Sequence, residues 1–235
     1  MTVNEIMKQL AAKGSESTKK ILLKHGVKEP FFGVKIEELK KIQKIVKKDY
    51  QLAKDLYDTG NADAMYLAGL ISDDEKMTKK DLQDWIKKAL SQNISGYTVP
   101  WVAAEGKYGY ELALEWIESK DPDIAAAGWN TLGNIVSLRP DAELDIKKIQ
   151  ALLQRIEKEI HNAPNRVRQC MNGFIITAGS YITTLTDKAI ATANKIGAVT
   201  VDMNGTACKV PSAAEYIQKV KARGSIGKKK KTVKC

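Results

Sequence analysis

The chain has 235 residues, of which 43% are hydrophobic and 28% charged, with a formal net charge of +10. That length supports one large or two small domains with a sizeable core, and the composition excludes a disordered or fibrous chain. No apolar run reaches transmembrane length, and the start MTVNEIMKQL lacks the continuous apolar core of a signal peptide.

Helical periodicity runs from residue 2 to about 197. The spacing predicts helices over 2–12, 15–24, 35–48, 49–59, 61–71, 78–91, 97–106, 109–119, 123–137, 145–160, 163–178 and 182–197. Gly26, Pro30 and Gly33 break the second helix from the third, Ser72-Asp73-Asp74 ends the fifth, and Arg139-Pro140-Asp141 ends another. Thr78 and Asp81 have the spacing of a capping box, and Asp123 is the expected N-cap after Pro122. Small residues at Ala125-Ala126-Ala127-Gly128 mark a close helix contact. Neither β-α-β alternation nor a glycine-rich phosphate loop is present. Short helices with short connections, in a degenerate rhythm of roughly 35–40 residues per pair, point to an all-α fold: an α-solenoid, with an irregular bundle as the alternative.

One β-hairpin is expected at about 198–210. Asn204-Gly205 is a strong type I′ turn signal, because both turn positions need positive φ. The register pairs Met203 with Thr206, Asp202 with Ala207, Val201 with Cys208, Thr200 with Lys209 and Val199 with Val210. It buries Cys208 on the helix-facing side and turns Thr200, Asp202 and Lys209 outward. Pro211 then starts a helix to about Lys221. The reading gives a helical domain over 1–222 and a basic tail over 223–235 that is mobile in isolation. Eight Lys or Arg and no acid lie between Lys219 and Cys235, so most of the net charge sits there and the rest is nearly balanced. Such a tail favours nucleic acid or another anionic surface.

Catalytic signatures are missing. Cys170, Cys208 and Cys235 have no metal-ligand spacing, and their odd number fits a reduced, cytoplasmic protein without structural disulfides. His25 and His161 stand far apart and read as surface or capping residues. No serine elbow, phosphate loop or paired-carboxylate motif occurs, and no metal or cofactor is expected. Tyr97, Trp101 and Trp129 are candidates for a groove floor or for helix packing, whereas Trp85 and Trp116 read as core. Arg166 and Arg168, at the start of a helix after Pro164-Asn165, are candidate phosphate ligands or salt-bridge partners of Glu157 and Glu159. Asn172 and Tyr181 follow as groove contacts or buried hydrogen-bonding groups, and Lys228, Lys229, Lys230 and Lys231 are candidate phosphate contacts.

The segments PFFGVKIEELKKI, RVRQCMNGFIITAGSY, IGAVTVDMNGTACKVPSAAEYI and GKKKKTVKC resemble the DNA alkylation repair (AlkD-like) superfamily, and within it the hairpin-bearing AlkF/AlkG branch. The resemblance covers almost the whole chain. It implies an α-solenoid of HEAT-like repeats with a basic concave face. The excising members use a Trp, an Asp four residues later, an Arg on a later helix and a further Trp. Here Tyr97 stands near the first Trp position, Trp101 falls where the Asp belongs, Ala125 to Ala127 cover the Arg, and Gly173 replaces the second Trp. No Asp or Glu lies between Ser91 and Ala104, and Glu105 is the nearby substitute. Without that carboxylate the oxocarbenium-like sugar of base excision loses its electrostatic stabilisation.

The expectation is a monomeric, non-catalytic protein, not bound to membranes, that binds branched or distorted DNA. Its DNA-binding residues would be Arg166, Arg168, Asn172, Lys209, Lys228, Lys229, Lys230, Lys231, Tyr97 and Trp101. An alkylpurine glycosylase using Glu105 and a protein-binding helical scaffold are the alternatives.

Overall fold

The structure, a computed structural model, describes residues 1–235 except Asn204, Ala207 and Cys235. Among the described residues it is all-α. The helices are α1 (Val3–Lys13), α2 (Glu16–Lys24), α3 (Ile36–Val46), α4 (Tyr50–Tyr57), α5 (Ala62–Ile71), α6 (Lys79–Lys88), α7 (Val99–Glu105), α8 (Gly109–Trp116), α9 (Pro122–Leu138), α10 (Ile146–Glu159), α11 (Asn165–Tyr181), α12 (Thr186–Ile196) and α13 (Ala213–Ala222). Each periodic segment of the sequence forms a helix. The Thr78–Asp81 capping box is present, but α9 is capped by Asp121 rather than Asp123. Its carboxylate accepts from the backbone N–H of Asp123 and Ile124, and Pro122 takes the first helical position, where an N–H has no helical partner.

Two compact units form. The first spans Met1–Tyr108 together with the chain end from Lys234, and the second spans Gly109–Val233. In the first, α5 (ADAMYLAGLI) is buried on every side, as its nearly continuous apolar sequence requires, and α1, α3, α4 and α7 pack against it. Asp63, on α5, receives the backbone N–H groups of Phe32 (2.7 Å), Gly33 (3.0 Å) and Val34 (3.2 Å), which fixes the α2–α3 connection. Tyr57 stacks on Trp85 at 4.1 Å and donates its hydroxyl to the Trp85 carbonyl at 2.6 Å. Lys234 is buried against Asp74 (2.7 Å) and Ser72 Oγ (2.9 Å).

In the second unit alternate helices stack: α9 on α11 on α13, and α10 on α12. The Ala-Ala-Ala-Gly run is a close contact, as the sequence predicts. A Cβ at Gly128 would lie 2.6 Å from the Ile117 nitrogen, so no larger residue fits. Trp116 is buried, and Trp129 sits beneath α11 with its ring edge-on to Phe174 at 5.4 Å.

The expected β-hairpin is corrected. Among the described residues no strand forms, and those of 198–211 form a loop between α12 and α13. The turn chemistry is right: Gly205 has φ +69°, and the Thr206 N–H donates to the Met203 carbonyl at 3.1 Å. The Asn204 half of the turn signal and the Asp202–Ala207 pair involve positions outside the described residues. Cys208 is exposed, not buried, because no ladder fixes its arm in the predicted register.

Asp81 provides a pH test of the fold. Burial raises its pKa, but hydrogen bonds from Lys54, Thr78 and Tyr50 outweigh this and hold it at about 2, below the ordinary value of 3.8. A carboxylate with a depressed folded-state pKa stabilises above its unfolded pKa and loses that contribution as pH falls through the folded one. Denaturant unfolding of the native protein and of Asp81→Asn should therefore differ by about 1–2 kcal/mol at pH 6. The difference should shrink between about pH 4 and pH 2. A pH-independent difference would show that Asp81 acts only as a helix cap.

Candidate nucleic-acid interface

The first turn of α11 follows Pro164, which offers no side-chain cap. Its polar residues instead reach sideways to the 198–211 loop. Asn165 donates from Nδ2 to the Asp202 carbonyl and accepts the Asp202 N–H at Oδ1, both at 2.8 Å. Arg168 donates from Nη1 to the Thr200 carbonyl (2.8 Å) and from Nη2 to the Ala163 carbonyl (3.1 Å). Asn172, which is buried, donates to the Pro211 carbonyl at 3.0 Å. Asn165, Arg168 and Asn172 recur at i, i+3 and i+7 and so lie on one helix face. They satisfy backbone groups on one edge of the loop. A cavity of about 400 Å³ lies under the loop, between Asn172, Ile196, Val199, Val210 and Ser212.

Arg166 points elsewhere, donating to Gln169 within α11 at 2.8 Å. Neither arginine bonds Glu157 or Glu159, the partners considered from sequence. Glu157 is paired with Lys195, and Glu159 with Arg155 at 2.8 Å. Lys209 is exposed on the loop.

The tail is held rather than mobile. The Gly227 N–H donates to the Ser180 carbonyl and the Lys230 N–H to the Ser137 carbonyl. Lys229 bridges Asp141 (2.8 Å) and the Val136 carbonyl (2.9 Å), and the Lys230 ammonium lies 5.8 Å from the centre of the half-buried Tyr181 ring. Lys228 and Lys231 remain exposed.

The aromatic candidates separate. Before α7 the chain makes a π-helical turn over Ile94–Thr98, in which the Val99 N–H donates to Ile94, five residues back. Pro100 has no N–H with which to restore the α register at that point. A Cβ at Gly69 would lie 2.3 Å from the Thr98 methyl, so this turn packs on α5 only over a glycine. The turn leaves Tyr97 48% exposed, tilted against Trp101 at 6.3 Å, while Trp101 is buried edge-on to Tyr66 at 5.4 Å. Trp101 is thus a packing residue, and Tyr97 alone offers an open ring. Trp129 is also buried, with the Arg155 guanidinium 5.9 Å from its ring centre. Glu118 and Glu159 hold that guanidinium. Glu105 stands close enough to the Asp74–Lys234 pair for its charge to act on both. Burial pushes Asp74 above its ordinary pKa and Lys234 below its own. His25 is exposed at the end of α2, and His161 bonds the Ile196 carbonyl at 3.0 Å through Nε2. Among the described residues no group of three or more His, Cys, Asp and Glu could hold a metal, and no helix is long and apolar enough to cross a membrane.

A windowed charge count, available from sequence, shows what the overall balance hides. The first 48 residues carry twelve lysines against five glutamates, and the excess of acids lies in the middle of the chain. The arginines all lie at residue 139 or later, outside the first unit.

The stacked helix pairs belong to the HEAT-like repeat class. One solved structure matches with a TM-score of 0.92 and 36% identity over 100% of both chains, and is described as "A new family of proteins related to the HEAT-like repeat DNA glycosylases with affinity for branched DNA structures". The family model for the DNA alkylation repair enzyme matches residues 6–217, and the chain belongs to that family. Uncharacterized proteins of Listeria innocua serovar 6a and Listeria monocytogenes serovar 1/2a are each 34% identical to it over 229 residues, covering 95% of this chain and 99% of theirs.

The clamp on the loop sets two expectations. Asn165→Ala should raise the rate of tryptic cleavage after Lys209 several-fold, while global stability falls by only about 1 kcal/mol. An unchanged cleavage rate would show that Asn165 does not restrain the loop. In a Cys235→Ser background, a thiol reagent should label Cys208 rapidly in the native protein. Cys170 should react only on unfolding, since burial pushes its pKa up to about 12.

Proposed function

We propose that this protein binds branched or distorted DNA without excising bases, with residues 1–222 acting as one HEAT-like domain. The observation that carries the non-catalytic half is the α7 region. Trp101 falls where the excising members place their carboxylate, and it is buried between Tyr66 and Tyr97. The stretch 91–104 contains no acid, so no carboxylate there can stabilise a cationic sugar. Glu105, the nearby alternative, lies just past that stretch, at the end of α7.

The DNA half draws on the branched-DNA affinity described for the structural relative and on the groups left accessible here. Lys209 on the clamped loop, Lys228 and Lys231 on the tail, and the open ring of Tyr97 can meet phosphates and an unstacked base. Arg168 and Asn172 act one step back, by holding the loop in place.

Binding to a four-way junction should exceed binding to linear duplex of equal length. The triple variant Lys209→Glu, Lys228→Glu, Lys231→Glu should weaken junction binding at least tenfold without lowering thermal stability. Equal affinity for both DNAs would remove the branched-DNA reading. In parallel, DNA carrying 7-methylguanine should release no free base. Release that disappears in Glu105→Gln would place the protein among the enzymes instead.

A further inference from the structure

We infer that α3 presents a lysine ridge, Lys40–Lys44–Lys47, that tracks the phosphate backbone of a DNA duplex arm. The inference rests on the DNA-binding reading and adds to it a surface in the first unit. Lys40 and Lys44 stand at i, i+4 and rise from one face of α3 about 6 Å apart along the axis, and Lys47 follows as the residue that caps the helix. The opposite face, with Leu39 and Ile42, is buried.

Three observations support this row as a phosphate contact. First, its charge is uncompensated. Glu37 is paired with Lys35, Glu38 with Lys13 and Lys41, and Glu29 with Lys19. Among the described residues the side chains of Lys40, Lys44 and Lys47 form no ion pair or hydrogen bond. Like charges at i, i+4 destabilise a helix, so an unrelieved row is a local cost that a polyanion removes. Second, Lys47 ends α3 at φ +64°, a conformation that favours glycine, and it is the one non-glycine residue with positive φ among those described. A long cation stands where a glycine would sit with less strain. Third, the first unit has lysines but no arginines. Lysine acts on phosphate as a point charge without the arginine fork. Such a ridge therefore reads the spacing of a backbone and not the edges of bases. Lys44 and Lys47 are exposed, and Lys40 is half-buried along its stem.

The test is the salt dependence of binding to a linear duplex. Lys40→Gln, Lys44→Gln, Lys47→Gln should lower the slope of log Kobs against log salt by about 2.7, or about 0.9 for each phosphate contact removed. Lys40→Arg, Lys44→Arg, Lys47→Arg should keep the slope. The control Lys147→Gln, Lys148→Gln, Lys188→Gln removes the same net charge from exposed positions on α10 and α12, and should leave the slope within one contact of the native value. Should the triple variant unfold, Lys44→Gln alone should lower the slope by about 0.9. An unchanged slope in the α3 variants, an equal fall in the control, or no duplex binding by the native protein would overturn the ridge. Loss of junction preference with the ridge effect intact would instead overturn only the branched-DNA reading.

Discussion

Between Ile196 and Ala213 the chain leaves its helical ladder, and every backbone polar group there needs another partner. One face of α11 supplies several of them. Asn165 takes both backbone groups of Asp202, Arg168 takes the Thr200 carbonyl, and Asn172 takes the Pro211 carbonyl. The opposite side of α11 buries Phe174 in the core, and the helix packs on α9, α12 and α13. The same helix therefore organises the second unit and aims its loop. Two strands alone would be a weak unit in water, whereas a loop bonded to a buried helix inherits that helix's rigidity.

This arrangement also decides which cations are available. Arg168 is committed to carbonyls, Lys229 to Asp141 and Arg155 to two glutamates. Each contributes to the fold more than to the field outside it. Accessible charge remains on Lys209, Lys228, Lys231, Lys44 and Lys47, among others. A net charge of +10 says how strongly the protein attracts a polyanion, but not where.

The α7 region shows how local backbone geometry decides which aromatic ring is buried. A π-helical turn ahead of Pro100 shifts the helix register and brings Trp101 inward, so its ring fills space beside Tyr66. Indole contributes a large apolar area to packing at that place.

Helix positions, the Thr78–Asp81 cap, the tight packing at Gly128 and the buried Trp85 and Trp116 were legible in the sequence. Each follows from local spacing or side-chain size, which neighbours along the chain already specify. The family resemblance was likewise carried by contiguous segments. The 198–211 loop was not legible, because alternating residues and Asn-Gly describe a turn but not the partner of each arm. Side chains 32 to 39 residues away in sequence hold the loop by its backbone carbonyls. Asp121 displaced Asp123 as a cap because Pro122 fits the first turn. The chain by itself determined its helices, their order and its excess of lysine, since these are properties of short windows. Only the tertiary structure decided which of the predicted cations stay free, because an ion pair or hydrogen bond depends on distances that sequence separation does not set.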